Sequence, residues 1–132
     1  MIYILDASAG IEIALDKESA AKFHAKLENA TTVISSDLYK VETANVIWKY
    51  FKANLLNKEE ALRILRFCDE LIDEYVDIAS NNEEALVESM RLNHPAYDLL
   101  YLTLARRRGG ILLTLDKKLI KLAIENGVDV IG

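Results

Sequence analysis

Four acidic residues have surroundings that set them apart from the other acids of the chain. Asp6 directly follows an apolar run in "IYILDAS", and Asp116 comes just after another in "ILLTLD". Glu42 and Asp98 lie within helical patterns, in "VETANVIW" and "HPAYDLLYLTLA". Residues three or four positions apart are neighbours on a helix, and no Lys or Arg stands at those positions from Glu42 or Asp98. The four acids therefore lack local cationic partners or sit at predicted strand ends.

Carboxylates in such settings are suited to bind a hard divalent cation. An isolated buried carboxylate is costly unless it is paired, protonated or bound to a metal. Oxygen ligands suit Mg²⁺ or Mn²⁺, whereas a zinc site is not indicated, since Cys68 is the single cysteine and His24 and His94 are isolated. Two such ions can activate water and stabilise a leaving oxygen in phosphodiester hydrolysis, without a histidine base. The acids therefore predict a metal site for that chemistry.

Each acid also has a structural interpretation. Asp116 fits the N-cap of the helix that follows it, and Asp98 fits a first helical turn, where the helix dipole favours an acid. Asp6 fits a strand end where Asp hydrogen-bonds loop amides. Glu42 has the weakest such interpretation, a pair with a distant Lys or Arg. His94 is interpreted as an N-cap or as a partner of Asp98, with contact to substrate as the lesser alternative.

Short apolar runs alternate with helical patterns along the chain. The predicted strands are Ile2–Leu5, Thr32–Ser35, Tyr75–Ala79, Ile111–Thr114 and Val128–Ile131. One predicted helix carries the apolar stripe Leu38, Val41, Ala44, Trp48, Phe51 and Leu55. This alternation predicts an α/β fold with right-handed crossovers and a mostly parallel sheet covered on both faces. Two of the crossovers are expected to carry helix pairs.

The predicted sheet would bring two of the acids together. Ligands of open parallel sheets bind beyond the carboxyl ends of the strands, where the strand order reverses. Asp6 and Asp116 face one crevice if the first and fourth strands are neighbours. The adjacency of those two strands is thus the prediction on which the site depends.

Composition limits the class of protein. The chain has 132 residues, 52% hydrophobic and 28% charged, which fits one globular domain over residues 1–132. We expect a cytoplasmic protein, because no segment resembles a signal peptide or a membrane span. The net charge of −5 argues against a generic nucleic-acid coat protein. It does not argue against an enzyme that meets nucleic acid through a metal site.

The ordered set of motifs resembles the PIN-domain nucleases, in particular the VapC-like toxins of toxin–antitoxin pairs. That pattern has an Asp after the first strand, a Glu in a helix after the second, an Asp opening a late helix and a Thr-x-Asp after the fourth strand. The matching stretches are "LDAS", "VETANVIW", "AYDLLYLTLA" and "LLTLD". Each motif is weak alone, but their order and spacing agree over the whole chain.

The resemblance implies a three-layer α/β/α fold with about five strands and an endoribonuclease that depends on Mg²⁺ or Mn²⁺. It implies a homodimer and a cognate antitoxin whose C-terminal segment blocks the acidic cleft. By the same resemblance, the metal ligands and catalytic residues are Asp6, Glu42, Asp98 and Asp116. Supporting roles are implied for Ser8 and Thr114, and a weaker one for Asn45.

Other functions fit the sequence less well. A phosphoacceptor receiver domain needs an acidic pair after the first strand, and a nucleotide-binding module needs a glycine-rich phosphate loop; both are missing. The main alternative is a non-catalytic PIN-type RNA-binding or assembly module. Its backbone contacts would come from a basic set, Arg106, Arg107, Arg108, Lys117, Lys118 and Lys121. The arginines also fit a cationic helix end that stops at a glycine.

Overall fold

Strands and helices alternate in the computed structural model, which describes residues 1–132. The strands are β1 (Ile2–Leu5), β2 (Thr32–Ser36), β3 (Glu74–Val76), β4 (Ile111–Leu113) and β5 (Val130–Ile131). The helices are α1 (Ala7–Ala14), α2 (Ala20–Glu28), α3 (Leu38–Lys52), α4 (Lys58–Glu70), α5 (Asn82–Leu92), α6 (Ala96–Arg108) and α7 (Lys117–Glu125). All five predicted strands are present; β1 has the predicted bounds, and the other four differ from the prediction at one or both ends.

The third and fifth strands are shorter than predicted. β3 gives way to a 3₁₀ turn over Ile78–Ser80, because the Asp77 side chain accepts a hydrogen bond from the Ala79 amide and begins that turn. β5 is limited to the two residues that pair with Leu112 and Leu113. The apolar run in each case extends beyond the hydrogen-bonded strand.

The five strands form one parallel sheet in the order β3-β2-β1-β4-β5. Ile4 of β1 lies between Ile34 of β2 and Leu112 of β4. The predicted adjacency of the first and fourth strands is therefore confirmed. Since the first two crossovers run one way from β1 and the third returns past it, the strand order reverses beside β1.

Helices cover both faces of the sheet, as predicted. α1 contacts α2, α3 and α4, whereas α6 contacts α5 and α7. With right-handed crossovers, the reversal of direction places these two groups on opposite faces and gives three layers. Helix pairs occupy three crossovers, and not two as predicted. The pair α1 and α2 lies in the first crossover, α3 and α4 in the second, and α5 and α6 in the third.

α6 is the central helix of its layer. All residues of Leu99–Ala105 are buried, and the helix packs against β1, β2 and β4. Pro95 occupies the N-cap and Asp98 lies in the first turn. The helix stops at Gly109, whose φ of 61° is the left-handed conformation that glycine adopts without strain. Neither α6 nor any other helix combines the length and apolar character needed to cross a bilayer.

The apolar stripe of α3 faces solvent. Val41, Trp48 and Phe51 are 68%, 52% and 48% exposed. The helix instead buries its more polar face, with Tyr39, Thr43 and Ile47. Periodicity predicted the helix correctly, but it did not predict which face would pack on the sheet. Contiguous exposed apolar surface of this kind is typical of an interaction site.

Candidate active site

Asp6 is fixed at the point where β1 ends and α1 begins. It is the N-cap of α1, and its Oδ1 accepts a hydrogen bond from the Ala9 amide at 3.0 Å. The Ser8 hydroxyl donates to the same oxygen at 2.6 Å, and the Thr114 hydroxyl donates to Oδ2. Asp6 is only 5% exposed. Three neutral donors therefore orient a carboxylate that solvent barely reaches.

The loop after β4 is joined to Asp6 through the same two hydroxyls. The Ser8 Oγ accepts from the Leu115 amide at 2.9 Å, and the Thr114 Oγ1 accepts from the Asp116 amide at 3.0 Å. Asp116 in turn caps α7, with its Oδ1 accepting from two amides of the first turn. Asp6 and Asp116 thus belong to one hydrogen-bonded edge of the sheet.

Glu42 lies on α3 and Asp98 on α6. Glu42 is held by a residue of α6, and Asp98 by a residue of the loop before α6. The Tyr101 hydroxyl donates to Glu42 Oε1 at 2.6 Å. The His94 Nε2 lies 2.7 Å from Asp98 Oδ2, which confirms the interpretation of His94 as a partner of Asp98. The Asp98 side chain is 25% exposed. Asp98 has no Lys or Arg partner, as its helix neighbours indicate, and its local partner is the histidine four positions earlier.

The four acids influence one another electrostatically. Burial raises the pKa of Asp6 to about 6, although its hydrogen bonds oppose this, and the charge of Glu42 adds to the rise. Burial also raises the pKa of Glu42, as do the charges of Asp98 and Asp116. The pKa of Asp98 is raised by burial first, and further by Asp116. Unfavourable charge is therefore concentrated at this edge.

The donor set fits a hard cation, but it is not arranged as a finished cage. No group of three or more His, Cys, Asp or Glu side chains is placed to hold a metal ion as it stands. Each acid points at least one oxygen at a protein donor. A bound cation would have to replace some of these hydrogen bonds or use the remaining oxygens.

The structure also shows where the supporting residues lie. Ser8 and Thr114 contact Asp6 directly, whereas Asn45 is exposed on α3. Sequence reasoning missed the contact between Tyr101 and Glu42, which are 59 positions apart. The only local signal was a tyrosine three positions after Asp98, in the mostly apolar middle of the helix.

The arginines of the basic set are engaged with acids. Arg106 and Arg107 both bind Glu84, and Arg108 binds Glu74 through two hydrogen bonds, at 2.8 and 3.0 Å. They follow α6 to its end, as the interpretation of a cationic helix terminus predicts. Paired guanidinium groups are poorly suited to follow a nucleic-acid backbone, so this part of the alternative function loses its support.

The three-layer fold and the acidic edge identify the class of protein, and the comparison with protein families agrees. The family model of the PIN domain matches residues 3–125, and this chain belongs to that family. Among characterised proteins, the chain is similar to Ribonuclease VapC3 of Pyrobaculum aerophilum. The two are 28% identical over 124 residues, which cover 90% of this chain and 92% of the relative.

Solved structures share the fold. The crystal structure of PAE2754 from Pyrobaculum aerophilum matches with a TM-score of 0.70 at 23% identity, over 92% of this chain and 84% of that one. VapBC2 from Rickettsia felis, crystallised with a DNA fragment of its promoter, matches with a TM-score of 0.71 at 18% identity. That match covers 99% of this chain and 98% of the other. Both likenesses support the architecture described above.

Proposed function

We propose that this PIN-domain protein is a metal-dependent endoribonuclease, the toxin of a toxin–antitoxin pair, acting as a single domain. Asp6, Glu42, Asp98 and Asp116 hold Mg²⁺ or Mn²⁺ and are the catalytic residues. The ribonuclease relative and the toxin–antitoxin complex of the same fold support this assignment. The proposal includes a cytoplasmic location, where an RNA substrate is at hand.

The observation that carries the proposal is the placement of four mutually repelling acids at one edge of the sheet, where the strand order reverses and Ser8 and Thr114 join Asp6 to the loop of Asp116. Asp6, Glu42 and Asp98 all have a raised pKa, and in each case another of the four acids contributes to it. No Lys or Arg forms an ion pair with any of the four. A divalent cation is the partner that would relieve this repulsion. It would also let an anionic phosphodiester approach a negatively charged edge.

The chain's own residues divide the work. Asp6 is the anchor, because Ser8, Ala9 and Thr114 hold both of its oxygens in place. Asp98 and Asp116 stand at the starts of α6 and α7, which open onto this edge of the sheet. A divalent ion held by these acids would polarise the scissile phosphate and activate water. Ser8 and Thr114 support Asp6, and Asn45 is retained as a weaker supporting candidate.

Two protein partners are part of the proposal, a cognate antitoxin and a second copy of the chain. Both need apolar surface. One such surface lies between α3 and α4 and includes Trp48, Phe51 and Leu62, which border a cavity of about 310 Å³. Another lies on α5, where Leu86 and Met90 are exposed. These surfaces are candidate places for dimerisation and for the body of the antitoxin, whose C-terminal segment would block the acidic cleft.

RNA cleavage tests the proposed activity. The purified chain should cleave single-stranded or structured RNA with Mg²⁺ or Mn²⁺ and stop when chelator is added. Asp6→Asn and Asp98→Asn should abolish cleavage, because they remove anionic ligands. Asp129→Asn is the matched control, since Asp129 is exposed and on the short segment before β5. Full cleavage by both site variants would show that the metal-site assignment is wrong.

Toxicity is tested separately in cells. Expression of the wild-type chain should arrest growth, and co-expression of a small partner encoded beside it should restore growth. Expression of Asp6→Asn should leave growth unaffected. Identical growth with the wild type and the variant would contradict the toxin assignment without contradicting the nuclease.

A further inference from the structure

Glu42 depends on one side chain for its orientation. The phenol of Tyr101 donates to Glu42 Oε1 at 2.6 Å, and this is the only hydrogen bond to the Glu42 carboxylate. The other oxygen, Oε2, has no protein partner. Glu42 is half-buried, so water reaches it only in part. A long, flexible glutamate in this position is therefore held by a single contact.

Tyr101 is itself rigidly placed. It is 1% exposed and its ring belongs to the hydrophobic core, within the fully buried stretch of α6. A tyrosine hydroxyl is neutral near pH 7 and has a proton to donate. The same helix carries Asp98 one turn earlier, so α6 holds Asp98 directly and Glu42 through Tyr101. One rigid helix thereby sets the relative positions of two acids that come from different layers.

We propose that Tyr101 is a positioning residue that fixes Glu42 for cation binding, with Oε1 held by the phenol and Oε2 left for the ion. The inference rests on the proposed function, in which Glu42 is a metal ligand. Residues that orient metal ligands contribute strongly to affinity, and their loss costs about 10–100-fold in metal affinity or activity. The phenol acts through Glu42 and has no contact with substrate in this role.

The packing of Tyr101 does not require its hydroxyl. A phenylalanine would fill the same space in the core, so only the bond to Glu42 would be lost. Tyr39 provides a matched control, because it is also fully buried and its hydroxyl donates at 2.7 Å to the Cys68 carbonyl. That carbonyl also accepts from the Leu71 amide. Tyr39→Phe therefore removes a buried hydrogen bond without touching an acid of the site.

The experiment measures Mn²⁺ binding in the absence of RNA, by the electron paramagnetic resonance signal of the free ion. Tyr101→Phe should weaken Mn²⁺ binding by about 10-fold or more, and Tyr39→Phe should stay within about twofold of the wild type. Combining Tyr101→Phe with Glu42→Gln should weaken binding no further than Glu42→Gln alone, because both changes act on one ligand. Cleavage by Tyr101→Phe should fall at limiting Mn²⁺ and recover as the ion is raised.

The outcomes separate the two levels of the proposal. Wild-type Mn²⁺ affinity in Tyr101→Phe, together with weakened binding in Glu42→Gln, would overturn the positioning role and leave the metal site intact. Wild-type affinity in Glu42→Gln would overturn both. An additive loss in the double variant would also refute action through Glu42. Urea unfolding checks that each variant is folded, and Tyr101→Met provides the same test if the phenylalanine variant is not.

Discussion

Replacing Asp6 by asparagine should stabilise the metal-free protein at pH 8, although Asp6 is the most buried acid of the site. The pKa of Asp6 is raised from its usual 3.8 to about 6, mainly by burial. One pKa unit is equivalent to about 1.4 kcal/mol, so the ionised carboxylate costs the fold about 3 kcal/mol once both states are deprotonated. Asparagine removes that cost and remains a good N-cap.

The sign of the pH dependence follows from the raised pKa. Below pH 3.8 the carboxyl is protonated in both the folded and the unfolded chain, and the cost is absent. Between pH 3.8 and about 6 the unfolded chain ionises first, so stability falls as pH rises. Above about pH 6 the cost is complete. A suboptimal contact between the asparagine amide and Thr114 offsets about 1 kcal/mol of the gain.

The assay is urea unfolding in chelator at pH 4 and pH 8. The difference in free energy of unfolding between Asp6→Asn and the wild type should be about 2 kcal/mol larger, in favour of the variant, at pH 8 than at pH 4. Asp129→Asn should show no comparable change, because the Asp129 side chain is exposed. A variant that is less stable than wild type at pH 8, or whose difference is the same at both pH values, would refute the reasoning. Added Mn²⁺ should reverse the order, since only the wild type gains binding energy.

Changes at three further positions test other parts of the structure. Asp116→Asn should abolish cleavage but keep the free energy of unfolding within about 0.5 kcal/mol of the wild type, because asparagine still caps α7. Asp116→Ala should abolish cleavage and also lower the free energy of unfolding by about 1 kcal/mol, measured in urea, because alanine cannot cap α7. Arg108→Ala should cost less than about 1 kcal/mol and leave the salt dependence of RNA binding unchanged, because its charge is paired with Glu74; a reduced salt slope would restore the basic-patch alternative. Gly10→Val should lower the free energy of unfolding by about 1–3 kcal/mol, because a Cβ at Gly10 lies 2.8 Å from Cε2 of Tyr39; unchanged stability would contradict this close approach.

Much of the fold could be predicted from the sequence because its signals are local. Apolar runs of strand length and the alternation with helices determine a parallel sheet, and right-handed crossovers then restrict the layers. The ends of β3 and β5 could not be predicted, since an apolar run does not show where pairing stops. The buried face of α3 could not be predicted either, because the helix buries Tyr39 and Thr43 and exposes the more apolar stripe that contains Trp48 and Phe51.

The candidate site was accessible to sequence reasoning for a different reason. Asp6 and Asp116 follow strands directly, so their convergence depends only on β1 and β4 being neighbours. The residues that hold the acids were harder to find. The bond from Tyr101 to Glu42 joins helices on opposite faces of the sheet, and no spacing in the chain encodes it. The contact of His94 with Asp98 is local and was accessible for that reason.

Structural and functional interpretations of the four acids are compatible, because the protein holds them with neutral or titratable donors and not with permanent cations. Elsewhere in the chain, buried or half-buried acids such as Glu84 and Glu88 are paired with arginines. At the strand edge, hydroxyls, amides and one imidazole orient the carboxylates. A neutral donor fixes a carboxylate without cancelling its charge. That charge is then available to a cation, whereas an arginine in the same place would stabilise the fold and remove the reason for the ion to bind.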